Sequence, residues 1–154
     1  MVCTIAVTEI RSGNQGSLKM ENRNKSIICR YYEDLWNKWN VALADELLSS
    51  DVSFRGSLGV EVHGLDGFKG YVNMVRAAFP DFHNTIGELI AEDNKVVATL
   101  TYSGTHRGEL FGIASTGRRV SYSGVAIFRL ADNKILNGWV LGDTHSLIKQ
   151  LRGV

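Results

Sequence analysis

Asn137, Trp139, Leu141 and Asp143 follow one another at two-residue steps near the end of the chain. On an extended strand such residues share a face, so the spacing sets one carboxylate at the end of an apolar stripe. A carboxyl group in apolar surroundings is held toward its neutral form, and the raised pKa suits it to proton transfer. The competing reading is a strand-end aspartate that is solvated or caps the helix after it. Other chemistries have less to stand on. The histidines, His63, His83, His106 and His145, show no metal-ligand spacing, and neither HExxH nor CxxC occurs. No dinucleotide fingerprint, phosphate loop or Gly-x-Ser-x-Gly elbow is present. Gly104, Gly108, Gly112 and Gly117 read as turn and bulge glycines. The residues therefore point to acid–base chemistry with neither metal nor organic cofactor, and Asp143 is the first candidate.

The elements that would position it follow from periodicity. Ile28, Tyr32, Leu35, Trp36 and Trp39 recur at helical steps, with Asn24 or Ser26 as cap. Asn40 ends that helix and opens a short second one bearing Leu43, Leu47 and Leu48. After an extended stretch from Val52 to Ser57 comes a third helix, with Phe68, Tyr71, Val72, Val75 and Phe79 inward and Pro80 as its stop. Thr85 to Glu92, Lys95 to His106, Arg118 to Leu130 and Lys134 to Leu141 read as strands, with Glu92-Asp93-Asn94 and Asp132-Asn133 as tight turns. Helices followed by antiparallel strands make an α+β domain. Residues 1–19 differ from the rest and read as an extension holding a short strand at Val2–Val7, with the domain proper over 20–154.

At 154 residues and net charge +1 the chain is one domain, with no electrostatic bias toward nucleic acid or a membrane surface. Nothing in the sequence supports pairing Cys3 with Cys29, and two lone thiols fit a reducing, cytoplasmic setting.

Ser103-Gly104-Thr105-His106-Arg107-Gly108, Gly112 to Val120 with Thr116-Gly117, Phe128-Arg129, Asn133-Lys134-Ile135, Trp139, Asp143 and Gln150-Leu151-Arg152-Gly153 follow one another in a distinctive order. Together with Phe79-Pro80-Asp81 upstream, this order resembles the SnoaL-like polyketide cyclases, or ester cyclases, of the nuclear-transport-factor-2-like superfamily. The resemblance implies a cone of helices wrapped by a strongly curved antiparallel sheet around a cavity, and a homodimer or tetramer built on the outer sheet face. It implies aldol cyclisation or a related isomerisation of a hydrophobic carbonyl compound, with Asp143 as acid/base. His106, matching the family's Thr-His, would be a polar assistant.

Tyr32, Trp36, Arg55, His83, Asn137 and Trp139 are the expected ligand contacts. The sequence departs from the pattern just before Trp139, where Asn137 and Gly138 replace the usual acidic residue and histidine. Two other readings stay open: an epoxide hydrolase using Asp143, Asn137 and Arg55 to hold water, and a non-catalytic binding or dimerisation module in which Asp143 merely caps a helix.

Overall fold

The structure is a computed structural model, and it describes Cys3 and residues 15–154. Helix α1 (Gln15–Arg30) continues directly into a π-helical turn (Tyr31–Trp36), in which Asn37 N–H reaches back to the Tyr32 carbonyl. A 3-10 turn (Val41–Leu43) and the single turn α2 (Ala44–Leu47) lead into β1 (Leu48–Arg55) and β2 (Glu61–His63). Helix α3 (Gly64–Ala78) follows, then β3 (His83–Glu92), β4 (Lys95–Thr105), β5 (Arg119–Ala131), β6 (Lys134–Gly142) and α4 (Thr144–Arg152).

The six strands form one sheet in the order β2-β1-β6-β5-β4-β3. The α+β class agrees with the sequence, but the sheet is mixed rather than antiparallel, because β1 lies parallel to β6. The chain leaves β1 through β2, α3 and the β3–β5 meander before β6 returns beside it. No local pattern in β1 carries that pairing.

Local chemistry explains most of the boundaries. Asp93, Asp132 and Asn133 take left-handed backbone at the two tight turns, a conformation their short polar side chains tolerate. Helix α4 ends on Gly153 at φ 74°, the usual left-handed stop. Helix α1 starts nine residues before the expected cap, at Gln15, so Asn24 and Ser26 lie inside it. Asn24 is buried, and Ser26 Oγ donates back to the Asn22 carbonyl. The expected strand at Val2–Val7 lies outside the described residues except for Cys3, and 15–19 are the first turn of α1. Cys3 and Cys29 are joined by a disulfide with their Cα atoms 6.0 Å apart, and Cys3 N–H also donates to Glu33. The expectation of two free thiols is thereby corrected, since sequence spacing says nothing of Cys3 lying against the end of α1.

One apolar core fills the space between the helices and the concave face of the sheet. Burial along β4, β5 and β6 falls on the even positions, with Val96, Ala98, Leu100 and Tyr102 facing in, then Tyr122, Ala126 and Phe128, then Gly138 and Val140, while Ile135 is buried at an odd position across the irregularity in the β5–β6 register. Trp139 and Leu141 are exposed on the convex face at 41% and 54%. No helix among the described residues is long and apolar enough to cross a membrane.

Candidate functional site

All five tyrosines of the chain converge between the helices and the sheet. The π-helical turn makes this possible. In a regular α-helix residues five apart point about 140° apart, whereas the wider i→i+5 turn brings Tyr31, Tyr32, Leu35 and Trp36 all to the inner side. Tyr31 packs edge-on against Phe128 at 5.3 Å, and Trp36 edge-on against Phe68 and Tyr71. From the sheet side Tyr102 stacks on Phe82 at 5.7 Å and lies 4.9 Å from Tyr122.

The sheet makes room for these rings with glycine. A Cβ on Gly124 would stand 2.6 Å from the Tyr102 ring, one on Gly138 2.9 Å from Phe54, and one on Gly56 2.0 Å from Tyr71. Small residues on β5 and β6 thus mark the inward face, because aromatic side chains from other elements lie flat upon it.

Between these rings is a narrow cavity of about 20 Å³ that opens to solvent, lined by Tyr31, Tyr32, Trp36, Tyr71, Tyr102 and Asn84 with Phe54, Ser57, Val75, Phe82 and Val140. Its polar groups divide into engaged and free. Tyr122 and Ser57 hydroxyls bond each other at 2.8 Å, and the Leu58 N–H donates to the Tyr71 hydroxyl at 3.4 Å. Asn37 pins Asn84 through three hydrogen bonds, to its backbone N–H, carbonyl and side-chain amide N–H, which leaves Asn84 Oδ1 as a free acceptor. Trp36 Nε1 is buried with no partner at normal geometry, and the hydroxyls of Tyr32 and Tyr102 bond no protein group.

Burial lifts every one of the phenols above the ordinary range, Tyr71 to about 12, and mutual proximity of Tyr32, Tyr31, Tyr71 and Tyr102 adds to the rise. These groups are therefore neutral hydrogen-bond donors at any ordinary pH, fitted to hold a carbonyl or enolate oxygen.

Of the expected site residues, Tyr32 and Trp36 line this cavity. His83 does not: it is exposed at the start of β3, and its neighbour Asn84 takes the inward position. Asn137, Trp139 and Asp143 share a face as the spacing requires, but that face is the convex one. Asn137 donates to Ser53 Oγ at 2.7 Å. Arg55 donates to the Val140 carbonyl and lies over the Trp139 ring at 5.6 Å.

Asp143 is exposed and caps α4, accepting from Ser146 N–H at 3.0 Å. Asp143→Ala is expected to cost about 1 kcal/mol of stability through loss of that cap, readable as a drop of a few degrees in Tm, while Asp143→Ser retains most of it.

His106 is fully buried behind Phe79, outside the cavity lining; Thr116 N–H donates to its Nδ1 at 3.2 Å, and its Nε2 has no partner. Asp81 joins the two upstream motifs by accepting from the Thr105 N–H and hydroxyl at 2.6 and 2.7 Å. Among the described residues no three His, Cys, Asp or Glu side chains lie close enough to share a metal ion.

Tyr31, Tyr71, Tyr102 and Asn84 are the site residues that the sequence reading missed. Tyr71 was recognised only as core, and Tyr31 breaks the helical step. The alternation of Tyr102 with Leu100 and Val96 was a usable signal.

Solved structures share this fold. A protein of Jannaschia sp. CCS1 designated a SnoaL-like polyketide cyclase superposes with a TM-score of 0.82 at 17% identity, over 96% of this chain and 99% of that one. A polyketide cyclase designate of Acidithiobacillus ferrooxidans gives 0.74 at 26% identity, over 85% and 95%. AclR of Streptomyces galilaeus, designated a hydroxylase, gives 0.75 at 26%, over 87% and 83%. No curated protein matches the chain. The sequence model for SnoaL-like polyketide cyclases matches residues 26–151. This chain belongs to the SnoaL-like polyketide cyclase family.

Proposed function

We propose that the protein is a cyclase-type enzyme that folds a hydrophobic carbonyl compound in the tyrosine-lined cavity and promotes intramolecular aldol closure. The observation that carries this reading is the presence of two neutral phenols without a protein partner, Tyr32 and Tyr102, in the lining of one apolar cavity. In the reaction an enol carbon bonds to a ketone carbon of the same molecule. The ketone oxygen becomes a hydroxyl, the enol oxygen gives up its proton and becomes a carbonyl, and product and substrate have the same composition. Donors set around the developing alkoxide stabilise it, and the aromatic walls hold the chain in a near-attack shape. The step moves only protons and a carbon–carbon bond, so it calls for no redox cofactor.

Asp143 has no part in this scheme, since its carboxylate is committed to the α4 cap on the convex side. The hydrolase alternative is not carried forward, because Arg55, Asn137 and Asp143 each have separate partners and none lines the tyrosine cavity. A non-catalytic binding role is favoured by one observation, the lack of any carboxylate or imidazole among the lining residues. The two separate by incubating the protein with a short acyclic diketone spaced for ring closure and following it by NMR. Cyclisation faster than in buffer supports the enzyme; saturable shifts of the diketone signals without turnover support the binding module.

The reading extends to assembly. Val125, Ile127, Trp139 and Leu141 are exposed at 40–54%, and the pairs Val125–Leu141 and Ile127–Trp139 lie side by side on the convex face. A contiguous apolar patch of this kind suits a second copy of the chain. The mass in solution by light scattering is expected to be that of a dimer or tetramer, and Leu141→Lys is expected to yield monomer. A monomeric unmodified protein would contradict the assembly.

A further inference from the structure

Helix α1 passes into the π turn between Arg30 and Tyr31, and the change of pitch there turns Tyr31 and Tyr32 inward together. On its inner side the turn rests on Phe68 and Phe128. Its far end is tied down where Asn37 bonds Asn84.

Cys3 grips the outer side across the junction. Cys29 and Glu33 are four residues apart, so they stand on one side of the helix, one before the junction and one after it. Cys3 engages both: its sulfur is bonded to Cys29, and its backbone N–H donates to Glu33 Oε1 at 2.7 Å. Tyr31 and Tyr32 lie between those two attachment points in sequence.

A π turn is a rare geometry, and contacts from outside must keep it where its own residues do not call for it. The ion pair beside the junction, Arg30 with Glu46, is exposed on both sides and contributes little. The covalent bond to Cys3 is the stronger restraint on that side.

We infer that the Cys3–Cys29 disulfide is a redox-sensitive clamp on the junction between α1 and the π turn. Its reduction loosens the turn that carries Tyr31 and Tyr32 while the sheet stays in place. The chemistry is exchange with a dithiol. A thiolate of the dithiol attacks the Cys3 sulfur, the more open side because Cys29 is buried. The S–S bond breaks, and Cys29 leaves as a thiolate and takes up a proton. The second thiol of the dithiol then displaces Cys3 as a thiol, and the reductant closes to its own disulfide, having passed on two electrons and two protons. Once Cys3 is released, one part-buried hydrogen bond to Glu33 is worth too little to hold the segment. The clamp acts on the wall of the cavity and does not depend on what the cavity binds.

Amide hydrogen exchange of the full chain, oxidised and after dithiothreitol, tests this. Thiol titration of the denatured protein is expected to find no free thiol before reduction and both cysteines free after it. Opening a disulfide also frees the unfolded chain and so speeds exchange throughout the protein. The clamp appears as a change beyond that. Exchange at Tyr31–Trp36 is expected to rise on reduction about tenfold more than exchange in β4 and β5. Cys3→Ser without reductant should match the reduced protein and be indifferent to dithiothreitol. Treated with tetranitromethane, the reduced protein should be nitrated faster at Tyr31 and Tyr32, with Tyr102 and Tyr122 unchanged.

An equal rise in turn and sheet makes the bond a staple acting through the unfolded chain alone and overturns the clamp. Free thiols before reduction overturn it as well. Equal nitration of Tyr31 and Tyr32 in the two states removes its control over the cavity lining.

Discussion

Raised above pH 10, the protein is expected to unfold in a single steep step rather than to titrate gradually. All five tyrosines are between 1% and 4% exposed, and burial pushes each phenol above its ordinary value of 10, Tyr71 to about 12. The unfolded chain sheds these protons near pH 10, while the folded chain keeps them to higher pH. Stability is therefore fully present below pH 10 and is lost as pH rises beyond it. Each proton is worth about 1.4 kcal/mol per pH unit, so five phenols give a slope approaching about 7 kcal/mol per pH unit. A domain stable by about 5–15 kcal/mol would lose that margin within roughly two units. Phenolate absorbance and far-ultraviolet circular dichroism, followed together, should change at the same pH. Phenolate signal rising well before the dichroism is lost would mean that the tyrosines ionise inside the fold, contrary to their burial.

Phe128→Ala should have the largest effect of any single side-chain truncation at the site. Phe128 is fully buried on β5, with Tyr31 at 5.3 Å and Tyr32 at 6.0 Å packed edge-on against it. Removing a buried phenyl ring costs about 3–5 kcal/mol, which for a domain of this length lowers Tm by about 6–20 °C. Tyr31 and Tyr32 would lose the surface that holds them, so ligand binding should fall even where the fold survives. Phe128→Leu, which keeps most of the volume, is expected to cost less than half as much. Calorimetry on the three proteins checks this. Equal Tm for the Ala variant and the parent would show that the tyrosines are placed by something other than this ring.

The same residues show how far the sequence could be read. The strands of the β3–β6 meander were legible because apolar residues alternate along them and Asp-Asn turns join β3 to β4 and β5 to β6. Helix α3 was legible from its inner stripe, Phe68, Tyr71, Val72 and Val75.

The inner face of β6 was not. Trp139 and Leu141 make the odd face look more apolar than Gly138, Val140 and Gly142, yet Gly138 faces in, because the rings of Phe54 on β1 and Phe128 on β5 fill the space against it, and Gly142 lies close against Ser57. Hydropathy along one strand cannot register side chains supplied by another element. Asp143 was misplaced with that face. Tyr31 escaped because a π turn shifts the helical step, and no residue in Tyr31–Trp36 demands one. Asn84 escaped because the inward position at the start of β3 depends on Asn37, 47 residues away in sequence.

The central claim is that tyrosine hydroxyls in the cavity, and not the Asp143 carboxylate, promote ring closure. The most direct measurement is the initial rate of diketone cyclisation by the parent, Tyr102→Phe and Asp143→Ala under one set of conditions. Loss of an oxyanion donor costs on the order of 100-fold in rate, and that loss is expected for Tyr102→Phe, while Asp143→Ala stays within about threefold of the parent, as a change confined to a helix cap. The opposite pattern, an intact Tyr102→Phe and an Asp143→Ala slowed by about 10²–10⁴-fold as for a lost general base, would contradict the account.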